Sequence, residues 1–321
     1  MQTRPLQTDR LNQHILEAGS GPLVLLIHGF PELGISWRAQ VQALADAGFR
    51  AVAPDMRGYG GTDKPSDASA YGILDLVGDM VDLVRTLGGG PCAVMGHDWG
   101  APVAWHCALT RPDLFHAVFG LSVPFQPRRV KGPPTAAMAV LARRAGLGEL
   151  YINQFQAPDA HRVFETDVPA ALRKGFYAYD GATPPERQST GFIPEGENFI
   201  STVPDDATLP PWMSEGHFQE YVDAFSAGGF KGPLDWYRNL DRNWSLTAHL
   251  QDARIRVPAA FVVGERDPVR HYAGAHEAGL KDWAPDLLLQ VVIPGAGHWI
   301  QQERPDEVNR LLLDFLGQVA T

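Results

Sequence analysis

Short unbroken apolar runs alternate along this chain with stretches whose apolar residues recur at helical spacing. Leu23 to Ile27 is a run of five apolar residues, the mark of a strand covered on both faces. Arg50 to Pro54, Cys92 to Met95, Ala117 to Val123, Ala259 to Val263 and Leu287 to Ile293 read the same way. Leu11 to Ala18 has the pattern of an early antiparallel strand. Between the runs, Trp37 to Ala47, Leu74 to Leu87 and Ala101 to Leu109 carry helical periodicity, and Glu307 to Phe315 closes the chain as a helix. The glycines at 48 and 88 to 90 stop the first two helices. Strand alternating with helix predicts a mostly parallel central sheet flanked by helices on both faces. Such sheets hold their sites at the carboxyl ends of the strands.

The alternation breaks after Val123. Pro124 to Lys131 is rich in Pro and Arg, and from there to about Leu250 no buried strand is expected. Ala136 to Ala145, Ala170 to Tyr177, Gln219 to Ser226 and Leu234 to Asn239 read as helices, and Ala182 to Pro211 as a long irregular stretch. The expected organisation is a core of residues 1–124 and 251–321, interrupted by a helical cap over residues 125–250. A helical insertion at the site's end of a sheet shapes access and excludes water.

Candidate chemistry sits where the runs stop. Cys92 to Met95 ends in Gly96-His97-Asp98-Trp99-Gly100, and a helix follows at once. That is the layout of a nucleophile elbow: strand, sharp turn, helix, with small residues letting the turn close. Asp98 occupies the position that Ser usually holds. Alone the pentapeptide says little, because Asp and Gly are ordinary turn residues. Two further strands end in Gly264-Glu265-Arg266-Asp267 and in Gly297-His298-Trp299. Read singly, Asp267 before Pro268 is a turn residue and His298 a solvated histidine. Together the three follow the order nucleophile, acid, histidine of a hydrolase triad.

Composition narrows the rest. The 321 residues carry a net charge of −10 and no long basic run, which argues against nucleic acid as a partner. Cys92 and Cys107 read as buried free thiols and lack zinc-site spacing. Met1 to Arg10 is polar, without the apolar core of a secretory signal. No stretch approaches the roughly 18 apolar residues of a membrane span. A cytoplasmic protein is the expectation; the sequence is compatible with a homodimer without requiring one.

These motifs, with His28-Gly29-Phe30-Pro31-Glu32 after the first buried run, closely resemble those of the epoxide hydrolases of the α/β-hydrolase fold. The resemblance covers nearly the whole chain. In the cap it extends to Tyr151, seven residues before Pro158, and to Trp236-Tyr237-Arg238-Asn239. Asp159 follows Pro158 where the family pattern usually has Gly, which loosens the register of Tyr151 relative to that of Tyr237. The resemblance implies a small epoxide as substrate and no cofactor or metal. Asp98 would attack an epoxide carbon to form an ester, which an ionised carboxylate can do without a base. Tyr151 and Tyr237 would donate their phenolic protons to the leaving oxygen. His298, oriented by Asp267, would activate water against that ester. Backbone N–H groups of Phe30 and Trp99 would hold the oxyanion. Phe30, Trp99 and Trp299 would wall the substrate pocket, His28 would support its loop, His97 would point away from the site, and Glu32 would bond within its own loop.

A dehalogenase on the same fold shares the Asp nucleophile. Its halide needs N–H donors rather than phenols, and Phe30 stands where haloalkane dehalogenases usually carry Asn. An esterase is disfavoured because Asp98 replaces Ser. A non-catalytic ligand-binding module would be marked by a missing triad member, and none is missing.

Overall fold

The computed structural model describes residues 1–128, 132–146 and 148–319. Arg129, Val130 and Lys131, the end of the Pro- and Arg-rich stretch, lie outside the described residues. The chain runs β1 (Gln2–Gln7), β2 (Asn12–Ala18), β3 (Leu23–Ile27), α1 (Arg38–Asp46), β4 (Arg50–Pro54), α2 (Ile73–Thr86), β5 (Cys92–His97), α3 (Gly100–Thr110) and β6 (Phe115–Leu121). The insert follows as α4 (Pro134–Ala145), β7 (Glu149–Leu150), α5 (Tyr151–Gln154), α6 (His161–Glu165), α7 (Val168–Ala178), β8 (Phe192–Ile193), α8 (Glu215–Gly228), α9 (Lys231–Arg238) and α10 (Leu240–Leu246). The sheet resumes with β9 (Ala259–Gly264), α11 (Arg270–Ala278), α12 (Leu280–Trp283) and β10 (Leu287–Ile293), and the chain closes with α13 (Ile300–Glu303) and α14 (Pro305–Val319).

Eight strands form one sheet in the order β1-β2-β4-β3-β5-β6-β9-β10. β2 runs antiparallel to β1 and β4; the other pairings are parallel. The six mutually parallel strands β4, β3, β5, β6, β9 and β10 therefore finish on one rim. β5 lies centrally, with Gly96 paired to Ile27 on one side and Gly120 on the other. All its residues are buried, and alternate residues face two cores. Cys92 and Val94 pack with α2, α3 and the insert; Ala93 and Met95 pack with α1 and α14. Each such aliphatic side chain stabilises the fold by roughly 1.5–3 kcal/mol when fully buried.

Differences from the sequence reading have physical causes. β1 was not expected, because as the sheet edge it is largely exposed and its residues are polar; pairing from Gln2↔Glu17 to Gln7↔Asn12 makes it a strand. β6 begins two residues earlier than expected, at Phe115. The insert was expected to hold no buried strand. It contains a two-residue antiparallel ribbon, Glu149↔Ile193 and Leu150↔Phe192, in which Leu150 and Ile193 are buried. α7 starts at Val168 because the Asp167 side chain caps it by accepting from Ala170 N at 2.9 Å. Among the described residues no helix is long and apolar enough to cross a membrane.

Candidate active site

The turn after β5 is as tight as its glycines require. A Cβ on Gly96 would sit 2.0 Å from Gly100 O, and one on Gly100 would sit 2.0 Å from Ile27 O. Either substitution would push α3 off the strand it follows. Between them Asp98 adopts φ 51°, a left-handed conformation that costs a non-glycine residue of order 1–3 kcal/mol. The strained turn lifts the carboxylate onto the rim. There Phe30 N donates to Asp98 Oδ1 at 2.7 Å. Gly29 packs so closely that a Cβ on it would lie 2.3 Å from Oδ1 and 2.6 Å from Trp99 N, so the Trp99 amide borders the same carboxylate.

His298 stands between two carboxylates. Its Nδ1 lies 3.0 Å from Asp267 Oδ2 and its Nε2 lies 3.4 Å from Asp98 Oδ2. Asp267 is itself fixed, since its Oδ1 accepts from Val269 N at 2.9 Å. His298 N donates to Tyr179 O at 2.9 Å and Ser122 Oγ donates to His298 O at 2.9 Å, which hold the loop. Burial alone would depress the imidazole's pKa. The adjacent Asp267 and Asp98 outweigh burial and hold it well above its ordinary value. Burial would raise the Asp98 carboxyl in turn, but His298 and the Phe30 N–H bring it below its ordinary value. Both shifts run the same way: the two carboxylates favour the protonated imidazole, and the imidazole favours the ionised Asp98.

From the insert, Tyr151 and Tyr237 reach over Asp98. Their rings lie 6.1 Å apart, edge to face, and Tyr237 packs 5.2 Å from Trp99 and 5.7 Å from Phe30. Burial raises the pKa of both phenols, so both keep their protons at neutral pH. Asp98, Tyr151 and Tyr237 line two cavities at once. One is about 30 Å³ and is walled by Phe30 and Trp299; the other is about 350 Å³ and is walled by Trp99.

Residues 22–305 match the family model described as the alpha/beta hydrolase fold. The chain is 41% identical over 319 residues to epoxide hydrolase A of Mycobacterium tuberculosis, covering 98% of this chain and 96% of that protein. It is 39% identical over 318 residues to epoxide hydrolase 3 of Siraitia grosvenorii, covering 98% and 97%. The structure of an epoxide hydrolase from an endophytic Streptomyces superposes with a TM-score of 0.94 at 40% identity, covering 99% of this chain and 96% of that one. The chain belongs to the epoxide hydrolases of the α/β-hydrolase fold. Within this epoxide hydrolase-family site, several residues depart from or extend the sequence reading. Glu32 bonds within its loop through its backbone, its N–H donating to Gly29 O at 2.9 Å, but its side chain reaches out: Oε2 meets His97 Nδ1 at 2.7 Å, and Oε1 accepts from Gln301 and Gln302 at 2.9 Å. His97 is turned away from Asp98, and its Nε2 donates to His298 O at 2.8 Å from beneath. His28 supports its loop by accepting from Met56 N at 2.9 Å.

Two residues beside the site, Tyr272 and Glu303, were not singled out in the sequence. Tyr272, on α11, brings a third phenol to the large cavity, with its oxygen 3.3 Å from that of Tyr151. Glu303 accepts from Gly297, Trp299 and Gly181 N–H groups, tying the His298 loop to the insert. Burial and the nearby Asp180 push its carboxyl up to about 7 against those three donors. Trp236 pins the insert to the core, its Nε1–H donating to Arg57 O at 3.0 Å. A polar residue at a strand or helix end was the only signal available for Glu303, and it is shared by many surface residues.

Proposed function

We propose that this chain opens epoxides to vicinal diols in two covalent steps carried by Asp98, His298 and Asp267, beneath a cap formed by residues 125–250. The observation that carries the proposal is the placement of His298 between Asp98 and Asp267, with Tyr151 and Tyr237 lining the same two cavities as Asp98. Asp98 Oδ1 is held by the Phe30 amide, so Oδ2 is the attacking atom. Its lone pair forms a bond to an epoxide carbon as the carbon–oxygen bond of the ring breaks. The oxygen leaves as an alkoxide that accepts a proton from Tyr151 or Tyr237.

Esterification removes the negative charge of Asp98. That charge was one of the interactions holding His298 protonated, so the imidazole gives up its proton once the ester forms. This proton balances the one the alkoxide took up. Neutral His298, still oriented by Asp267, then deprotonates a water that attacks Asp98 Cγ. The oxyanion develops on Oδ1, beside the Phe30 and Trp99 N–H groups, each worth about 3 kcal/mol in such a hole. Collapse releases the diol and regenerates the carboxylate. Phe30, Trp99 and Trp299 line the cavities as apolar walls. The buried, unpaired Cys92 and Cys107 suit a reducing compartment such as the cytoplasm.

One turnover in heavy-oxygen water with a small epoxide tests this reading. The label should appear in Asp98 and not in the diol, because the first diol takes its new oxygen from the carboxylate. Asp98→Asn should lose the initial covalent step. Label in the diol on the first turnover, or unchanged initial turnover by the variant, would refute it.

A further inference from the structure

Asp98, Tyr151, Tyr237 and Val269 form the partition between the two cavities, and the cavities are very unequal. The larger, about 350 Å³, runs past Trp99, Trp105 and Phe125 to Met138, Leu141 and Trp244 on α4 and α10. It reaches solvent there, where Leu141 is 39% exposed. The smaller, about 30 Å³, is a blind end: every residue that lines it is buried. An epoxide held by the partition therefore directs one ring carbon's substituent outward and the other's into the blind end.

Size decides what each end takes. A cavity of about 150 Å³ holds benzene, and about 10–15 Å³ is the least that holds one water. The outer cavity accommodates an aryl group with a further chain or ring. The blind end holds about two or three water-sized groups, enough for a hydrogen or a short alkyl group but not for a ring. It cannot widen cheaply, because its rings interlock. Phe164 packs 5.7 Å from Phe30, 5.8 Å from Phe199 and 5.0 Å from Phe230, and Phe199 stacks 6.0 Å from Tyr179. Moving one ring displaces the next in an interior packed at crystal-like density. The outer lining is mainly aromatic and aliphatic, so the large substituent it receives is apolar.

We infer that the site selects unsymmetrical epoxides, with a bulky apolar group on one ring carbon and a hydrogen or short alkyl group, never a ring, on the other. This rests on the epoxide-opening reading above and names its substrate class. Phe164 and Phe199 are then specificity-determining residues at the blind end.

The test compares kcat/KM for styrene oxide, trans-β-methylstyrene oxide and trans-stilbene oxide, which place hydrogen, methyl and phenyl on the second carbon. The first two should fall within about 10-fold of each other. The third should be at least about 100-fold slower, since one misfitting methylene already costs about 10- to 200-fold in a shaped pocket. In Phe164→Ala or Phe199→Ala, the ratio of trans-stilbene oxide to styrene oxide turnover should rise at least about 10-fold. Comparable wild-type rates for styrene oxide and trans-stilbene oxide would overturn the inference while leaving epoxide opening intact. So would a folded variant, active on styrene oxide, whose ratio is unchanged. If the variants do not fold, the wild-type series decides alone. Failure to turn over any of the three, with no ester on Asp98, would instead sink the underlying reading.

Discussion

Replacing His298 by Gln separates the two chemical steps and tests the charge coupling between them. His298 is 3% exposed and lies against two carboxylates, at 3.0 Å and 3.4 Å. Gln offers an amide N–H but neither a base nor a positive charge. A positioned general base contributes roughly 10²- to 10⁴-fold, so hydrolysis of the Asp98 ester should slow by about that factor. Ester should then accumulate to one equivalent. Loss of the imidazolium also leaves Asp98 and Asp267 buried with no cation beside them. Burial, which His298 helps to offset in the native site, then pushes the Asp98 carboxyl up. Ester formation in the variant should therefore fall off on the acid side at a higher pH than in the wild type. Removing one partner of a buried ion pair costs about 3–5 kcal/mol, so folding is checked by circular dichroism before kinetics. Rapid quench with intact-mass detection reads the adduct, and repeating it across pH reads its rate of formation. Steady diol production near the wild-type rate with no adduct would refute the reasoning. Adduct formation with an unshifted acid limb would refute the charge coupling alone.

Tyr151→Phe combined with Tyr237→Phe should slow epoxide opening by about 10²- to 10⁴-fold while leaving the circular dichroism spectrum unchanged; full activity in the double variant would remove the phenols from the mechanism. Tyr272→Phe deletes the hydrogen bond to Tyr151 and the help it gives to ionising that phenol. A hydrogen bond is typically worth about 0.5–1.5 kcal/mol, so ester formation measured in single turnovers should fall about 2- to 12-fold with ester hydrolysis unchanged; equal slowing of both steps would indicate a merely structural role. Glu303 has a folded pKa of about 7, raised from 4.5. A raised carboxyl pKa makes its contribution complete below the unfolded value and lost as pH climbs through the folded one. Urea melts of wild type and Glu303→Gln should diverge in slope between those limits, by about 3 kcal/mol at most; parallel pH profiles would contradict it.

Much of the sheet was legible because its signal is local. Leu23 to Ile27 and Cys92 to Met95 are apolar throughout since each strand is covered on both faces. β1 was not legible: it is polar and exposed, and is a strand only because β2 pairs with it. The ribbon of Glu149–Leu150 and Phe192–Ile193 fails for the same reason, since neither half is a strand without the other. At the site, Asp98, Asp267 and His298 each lie on the loop that follows a strand, and the structure brings the three within hydrogen-bonding or ion-pair distance. The side-chain partners of Glu32 were not legible, because His97, Gln301 and Gln302 belong to other elements. Tyr272 was missed because its environment is set by α11 packing opposite the insert, which nothing in its neighbours along the chain encodes.

Local sequence encodes the alternation of strand and helix, the break where the insert begins, and the order in which carboxylate, acid and histidine follow the strands. Those features depend on burial periodicity and turn chemistry among residues a few positions apart. Tertiary contacts set the position of His298 between two carboxylates and the uneven split of the space around Asp98. The first depends on separations between side chains from different strands, because the interaction of buried charges changes steeply with distance. The second is the small residue left after large side chains from Phe30, Phe164, Phe199 and Phe230 have packed. A difference between large packed volumes is not written at any one position, so about 30 Å³ on one side and about 350 Å³ on the other become visible only once every ring is in place.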